Sequence, residues 1–393
     1  MNQRQLFQQH VAPTSPEPMA LPVTKAEGIY LYDDTGKAYI DLIGGISVCN
    51  VGHRHPKVVQ AIKDQADQYL HVMVYGEVIQ SPQVQYAHLL SQHLPTSLDC
   101  VYFTNSGAEA VEGAMKLAKR YTGRNEIIAC HYSYHGSTQG ALSLLGDEYF
   151  RNAYRPLLPQ IKHIYHNNFD SLEQITAQTA CIILETVQAE GGVLAPSAEW
   201  MHALRAKCTE TGTLLILDEI QVGFGRCGTL WGFEQYGIIP DVLLLGKALG
   251  GGMPLGAFIS SNEVMKSLSH NPVLGHITTF GGHPVSCAAG KAAMEALLEE
   301  QMVAGVRDKE ALFRKLLQHP RILHISSRGL MMAVRFSGFE EVQQVIKGCL
   351  EEGLFTDWFL FASDSIRIVP PLPISMDEIT EACTRLIRVL DKG

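Results

Sequence analysis

The 393-residue sequence predicts an α/β protein, with a large domain built on a mostly parallel central sheet and a smaller α/β domain at its C-terminal end. Three observations predict it. Short apolar runs alternate with helix-patterned segments between residues 100 and 260. The alternation stops after Gly282, where a long helical pattern begins. The composition, 46% hydrophobic and 18% charged, is that of a chain that buries a core.

Each element follows from local pattern. The N-terminus is polar without an apolar leader segment, and residues 11–28, rich in Pro, Ala and Glu, read as an extended arm. Ile29–Asp41 alternates around Asp33-Asp34-Thr35-Gly36, which predicts a hairpin. Pro56 opens a helix to about Leu70, at a position where no N–H is needed. Strands are predicted at Cys100–Thr104, Glu126–Cys130, Cys181–Glu185, Thr213–Leu217, Asp241–Leu245 and Gly256–Ser260. Helices at Ala108–Tyr121, Thr138–Leu145 and Ala198–Thr211 separate them, so the sheet is expected to be parallel and covered on both faces. Helices at Pro284–Met302 and Arg307–Gln318 then lead into a smaller strand-and-helix unit. The expected division is 1–44, an arm and hairpin packing with the small domain, 45–285, a large domain, and 286–393, a small domain.

Composition excludes several functions. A net charge of −9 without any Lys/Arg cluster argues against nucleic acid as a partner. Nine scattered cysteines, odd in number and without a CxxC pair, read as a reduced, cytoplasmic chain with no metal site. No apolar stretch approaches the length of a membrane span.

In an open α/β sheet, ligands gather beyond the carboxyl ends of the strands. Lys247 follows the run Val242-Leu-Leu-Leu245 and precedes Gly250-Gly251-Gly252. Desolvation there disfavours the ammonium form and makes the amine a nucleophile toward carbonyls. Asp218 ends another run, Leu214-Leu-Ile-Leu217. Alone, the lysine reads as a snorkelling strand end and the aspartate as a helix start. Together, an imine-forming lysine and a carboxylate for a pyridinium nitrogen are what pyridoxal 5'-phosphate catalysis uses. Ser106 with Glu109 forms a capping box that starts a helix, and Gly107 and Ala108 would present N–H groups to a phosphate. Tyr134, just before Gly136, is placed to lie on a planar ring. Thr278-Thr279 beside Gly281 suits a phosphate oxygen. Two motifs point elsewhere. Gly223-Phe-Gly225-Arg-Cys-Gly228 matches a dinucleotide fingerprint but lacks the strand, helix and acidic partner it requires. His163 and His166 have no third ligand nearby and read as structural.

Taken together these residues resemble the class III aminotransferases, the fold type I group that includes acetylornithine, ornithine and 4-aminobutyrate aminotransferases. The resemblance runs from Tyr32-Asp-Asp-Thr-Gly36 through Gly52-His-Arg-His-Pro56 and Asp218-Glu-Ile-Gln221 to Pro370-Pro-Leu372. It implies the fold type I architecture, pyridoxal 5'-phosphate as cofactor, and an obligate homodimer with shared sites. It implies that Lys247 carries the cofactor, that Asp218 pairs with the ring nitrogen, that Gln221 contacts the ring oxygen, and that Tyr134 stacks on the ring. Ser106, Gly107 and Ala108 would hold the phosphate, with Thr279 reaching it from the neighbouring subunit. Arg367 matches the arginine that binds a substrate α-carboxylate, and Glu190 matches the glutamate that neutralises it.

Two departures bear on substrate. Ser137 stands where ornithine and acetylornithine enzymes carry an arginine that anchors a carboxylate, with Arg151 or Arg155 as substitutes in sequence. Ile46 stands where ornithine enzymes tend to have a tyrosine. The expected activity moves an amino group, a terminal one from a small amino acid of the ornithine, acetylornithine or 4-aminobutyrate kind, to a 2-oxo acid, with 2-oxoglutarate first because of Arg367. An ω-amino acid:pyruvate aminotransferase, or an aminomutase or decarboxylase of the same family, is the alternative. A non-enzymatic cofactor-binding protein would need neither Lys247 nor Asp218.

Overall fold

The computed structural model describes residues 3–74 and 76–392. At its centre is a seven-stranded sheet in the order Cys100–Thr104, Gly256–Ser260, Val242–Leu245, Leu214–Asp218, Thr179–Glu185, Glu126–Cys130, Ile161–Ile164. Gly256–Ser260 runs antiparallel to both of its neighbours, and the strands from Val242–Leu245 to Ile161–Ile164 are parallel. The sheet is therefore mixed at one end, which apolar runs without alternation could not reveal, since both orientations bury both faces.

Period-2 geometry sorts each strand's side chains between two cores. Leu215 and Leu217 pack on the side of Trp200, Met201 and Leu204, from the helix Ala198–Thr211. Leu214 and Ile216 face Val111, Ala114 and Ala118, from the helix Gly107–Thr122. The predicted helices stand within three residues of their expected bounds, those at 56, 284 and 307 ending two or three residues early. The strand Ile161–Ile164, the helix Ser81–Gln92 and the arm strand Val23–Glu27 were not anticipated. The last lies within the segment read as an extended arm.

The hairpin strands Tyr30–Asp33 and Ala38–Asp41 pair antiparallel. Asp33 closes the turn by accepting from the Thr35 and Lys37 N–H groups. Leu354–Phe355 adds in parallel beside Ala38–Asp41, so N-terminal and C-terminal segments share one small sheet. A second small sheet joins His324–Ser327, Met332–Arg335 and Ser365–Ile368. The helix Pro284–Glu299 packs on the turn that follows Lys247. A Cβ at Gly290 would lie 2.1 Å from the Leu249 carbonyl oxygen, so only glycine lets the helix come that close. The Gly223–Gly228 segment is a turn-rich loop with Gly225 and Gly228 at positive φ, and no helix begins there. No helix of the described residues is long and apolar enough to cross a membrane.

Candidate active site

Strand register sets the site. Glu185 lies opposite Asp218, and Asp218 opposite Leu244, so the carboxyl edges of three adjacent strands end together. Lys247, three residues past Leu244, adopts φ 50°, a left-handed conformation that costs a non-glycine residue about 1–3 kcal/mol. The flanking packing of Gly246 on Ile220 and Leu249 under Gly290 holds it there. Among the described residues, no hydrogen bond or ion pair holds the Lys247 amine. Burial pulls its pKa down to about 8, which Glu190 only partly opposes.

Asp218 is 4% exposed. His135 Nδ1 lies 2.7 Å from its Oδ2, and the Ile220 N–H donates to Oδ1 at 3.0 Å. Burial alone would lower the His135 pKa, but the bond to Asp218 and the Asp218 and Glu185 charges together outweigh it and raise it. Glu185, beside them, accepts from the Tyr134 and Ala189 N–H groups.

These groups border a cavity of about 200 Å³, with Tyr134 as an aromatic wall and Val187, Ile220 and Val222 as aliphatic ones. Gly107 and Ala108 lie at its rim, where the helix Gly107–Thr122 begins. A Cβ on Gly107 would come within 2.7 Å of Ile220 Cδ1, so glycine is required for helix start and Ile220 to meet. Ser106 is exposed, and its hydroxyl is engaged in capping the Glu109 N–H. Ser137 shares a 3.0 Å hydrogen bond with the Tyr134 hydroxyl. Exposed backbone N–H groups at a helix start, flat apolar walls, a buried carboxylate and an unengaged amine together fit a phosphorylated, planar, cationic-nitrogen cofactor with a carbonyl.

A second cavity of about 370 Å³ shares Tyr134, Gln221 and Lys247 with the first and contains Ile46, Glu190 and Arg367. Arg367 and Glu190 form a bidentate pair, Nη1 to Oε1 and Nη2 to Oε2, both at 3.0 Å. Gln221 Nε2 donates to Glu190 Oε1 at 3.1 Å. Burial would raise the Glu190 pKa, but the guanidinium prevails and holds it at about 2. Ile46 has φ 62° and follows Gly44 and Gly45, also at positive φ.

Of the residues singled out in sequence, Lys247, Asp218, Gln221, Tyr134, Gly107, Ala108, Ser137, Ile46, Glu190 and Arg367 converge on these two cavities. Ser106 and Thr279 do not line them; Thr279 is exposed on the loop before Pro284. Sequence reasoning missed His135, Glu185, Ile220, Asp357 and Trp358 as site residues. Glu185 ends an apolar run as Asp218 does, so the strand-end rule could have found it. His135 sat unread between Tyr134 and Gly136. Nothing in spacing announces Asp357. His163 contacts Arg151 and the Leu144 carbonyl, and His166 packs on Trp200, both away from the cavities.

A family model described as "Aminotransferase class-III" matches residues 11–390. The chain is 38% identical over 376 residues to an acetylornithine aminotransferase of Methanopyrus kandleri, covering 94% of each protein. It is 36% identical over 397 residues to one from Gloeobacter violaceus, covering 97% of this chain and 96% of that one. Among solved structures, an ornithine aminotransferase from Toxoplasma gondii superposes with a TM-score of 0.92 at 28% identity, covering 100% of this chain and 96% of that one. An (S)-enantioselective omega-transaminase from Thermomicrobium roseum gives 0.91 at 27% identity, covering 99% and 97%.

Proposed function

The chain belongs to the class-III aminotransferases, and from that premise we propose that it takes the terminal amino group of a small donor of the ornithine, acetylornithine or 4-aminobutyrate kind and passes it to 2-oxoglutarate. It is a pyridoxal-phosphate-dependent transaminase of fold type I. The observation that carries the site assignment is the desolvated, unengaged Lys247 amine beside Asp218 at one carboxyl edge.

When bound, pyridoxal phosphate supplies a carbonyl for the amine and a ring that draws off electrons. Lys247 would hold the cofactor and, once displaced by the donor, move a proton as a base. A pKa of about 8 leaves part of its amine neutral near neutral pH. Asp218, fixed by His135 and the Ile220 N–H, would hold a positive ring nitrogen. The N–H groups of Gly107 and Ala108 would take the phosphate, with Ser106 holding that helix start in place. Tyr134 and Ile220 would bracket the ring, and Gln221 would meet its oxygen. Arg367 would bind the acceptor's carboxylate once Glu190 turns aside, and Glu190 would neutralise it while the donor is present.

We further propose a cytoplasmic homodimer. Leu70, Val72, Met73, Val78 and Ile79 are exposed, as are Val273, Leu274, Ile277 and Phe280. Residues from both stretches border a groove of about 540 Å³, and a second copy covering it would carry Thr279 to the partner's phosphate site. The division at 1–44, 45–285 and 286–393 completes the proposal, supported by the small sheet that joins Ala38–Asp41 to Leu354–Phe355.

Borohydride reduction of the yellow holoprotein should fix the cofactor to the peptide containing residue 247, and Lys247→Ala should show neither the chromophore nor turnover. An adduct on another lysine would overturn the assignment.

A further inference from the structure

Four consecutive residues enclose Arg367. Thr356 Oγ1 donates to the Arg367 carbonyl at 2.6 Å, and the Asp357 carbonyl accepts from the Arg367 N–H at 2.8 Å. Asp357 Oδ1 accepts from Nε at 2.8 Å, and the Trp358 carbonyl from Nη2 at 3.2 Å. The Phe359 ring centre lies 4.3 Å from the guanidinium carbon. Only the end of the fork is left, and Glu190 occupies it with both oxygens. The arginine is thus held by two carboxylates, and the group carries one net negative charge.

Asp357 is the member of this group most open to the cavity that extends from Lys247. Its side chain is 20% exposed, against 3% for Arg367 and 5% for Glu190. Among the described residues, its Oδ2 accepts no hydrogen bond. Burial nonetheless raises its pKa, the neighbouring Glu190 charge adding to the effect and Arg367 offsetting part of it. A carboxylate with a spare oxygen, on the wall of a cavity and short of a counter-charge, is a recognition element for a cation.

Resting on the donor reading above, we propose that Asp357 selects amine donors that carry a second ammonium group at the end remote from the reacting amine. An ammonium brings the Arg367–Glu190–Asp357 group to neutrality, whereas a carboxylate with Glu190 in place would bring it to two net negative charges. Among the described residues no arginine other than Arg367 lines either cavity to offer such a carboxylate an alternative. Arg151 and Arg155 are both bound to Glu148, and position 137 is serine. Ile46, Trp358 and Leu360 supply apolar wall for the methylenes between the two amines. An α,ω-diamine, or an ornithine-like donor with its α-ammonium free, fits this wall better than the same skeleton acylated or ending in a carboxylate.

Calorimetry on the borohydride-reduced holoprotein tests this without turnover, because the locked lysine cannot exchange with an added amine. The ligands are butane-1,4-diamine, pentane-1,5-diamine and hexane-1,6-diamine, the monoamines of equal length, and 5-aminopentanoate. One charge-assisted hydrogen bond corresponds to a preference of about tenfold or more for the best diamine over its monoamine. The amino acid should bind more weakly than the monoamine. In Asp357→Asn the diamine preference should fall to within about twofold, since one neutral hydrogen bond remains. Equal binding of diamine and monoamine by the unmodified sequence overturns the proposal, and so does a full preference retained in a folded Asp357→Asn. The ligand series on the unmodified sequence decides even where the variant loses its fold, which a circular-dichroism melt reports. If reduction fixes no chromophore on the residue-247 peptide, the site reading itself fails, an outcome read by mass spectrometry before any ligand is added.

Discussion

Glu185 ends a strand and Glu190 follows it by five residues, both are buried, and their carboxyl pKa values move in opposite directions. Burial, with the Asp218 charge adding to it, pushes the Glu185 carboxyl up to about 8, and neither the nearby His135 nor two backbone N–H donors bring it back. Glu190 suffers the same desolvation, but a bidentate guanidinium holds it at about 2. Burial sets the cost of a charge; the partner brought by the fold decides whether that charge exists. The two ends of the cavity are specialised accordingly. At the Glu185 end a carboxyl raised to about 8 lies beside Asp218. At the Glu190 end the carboxylate is held in a bidentate ion pair with Arg367.

The strongest way to break this contrast is Arg367→Ala, which leaves Glu190 buried and unpaired. It should cost about 3–5 kcal/mol of stability at neutral pH, read from denaturant melts, and carry the Glu190 carboxyl upward toward the state of Glu185. It should also depress kcat/KM for 2-oxoglutarate far more than for pyruvate, and equal loss for both would remove Arg367 from acceptor binding.

Asp218→Asn works on the other end. Losing a charge that acts mainly in the transition state should lower kcat and kcat/KM together, by roughly a hundredfold or more, with cofactor still bound. Near-normal turnover would refute its role at the ring nitrogen.

Paired glutamine variants sharpen the contrast through pH. Glu190 has a folded pKa below its ordinary 4.5, so its contribution to stability is present above that value and is lost as pH falls toward about 2. Glu185 has a raised folded pKa, so its contribution is present below 4.5 and is lost as pH rises toward about 8. Glu190→Gln should therefore cost about 1–3 kcal/mol at neutral pH and remove part of the acid sensitivity. Glu185→Gln should cost less than about 1 kcal/mol and should gain on the unmodified protein as pH rises from 4.5 to 8. Thermal melts across pH 3–9 (a range of about two native-state windows) would expose the reverse order. The smallest effect expected on activity is at Ser137→Arg, which adds a guanidinium fork for a carboxylate at the cavity rim. We expect about a tenfold gain with acetylornithine, equivalent to one charge-assisted bond; a fall in that activity would mean that the donor's carboxylate is held elsewhere.

The meeting of Lys247 and Asp218 at one cavity was legible in sequence because each closes an apolar run, and a parallel sheet delivers such ends to one edge. Gly107 was legible through the Ser106 cap on the Glu109 N–H, although the Glu109 carboxylate turns to the Asn105 N–H and does not close the expected capping box. Other residues were not. Asp357 is ten residues from Arg367 in sequence, and a bend of the chain, not a repeat, sets its carboxylate against Nε. His135 reaches Asp218 across 83 positions, a contact that no local pattern encodes. The antiparallel course of Gly256–Ser260 was equally hidden, since a strand buried on both faces reads the same in either direction.

Periodicity and strand ends are local properties, so the sequence by itself determined the α/β alternation, the strand-end lysine and aspartate, and the capped helix beneath the cofactor site. Ionisation and specificity are pair properties. Only the tertiary structure could decide that the Glu190 pKa is lowered and the Glu185 pKa raised, that His135 braces Asp218, and that Asp357 stands beside Arg367. Coulomb energy in a poorly solvated interior depends on distances of a few ångström between groups far apart in the chain, and those distances do not exist until the strands are in register.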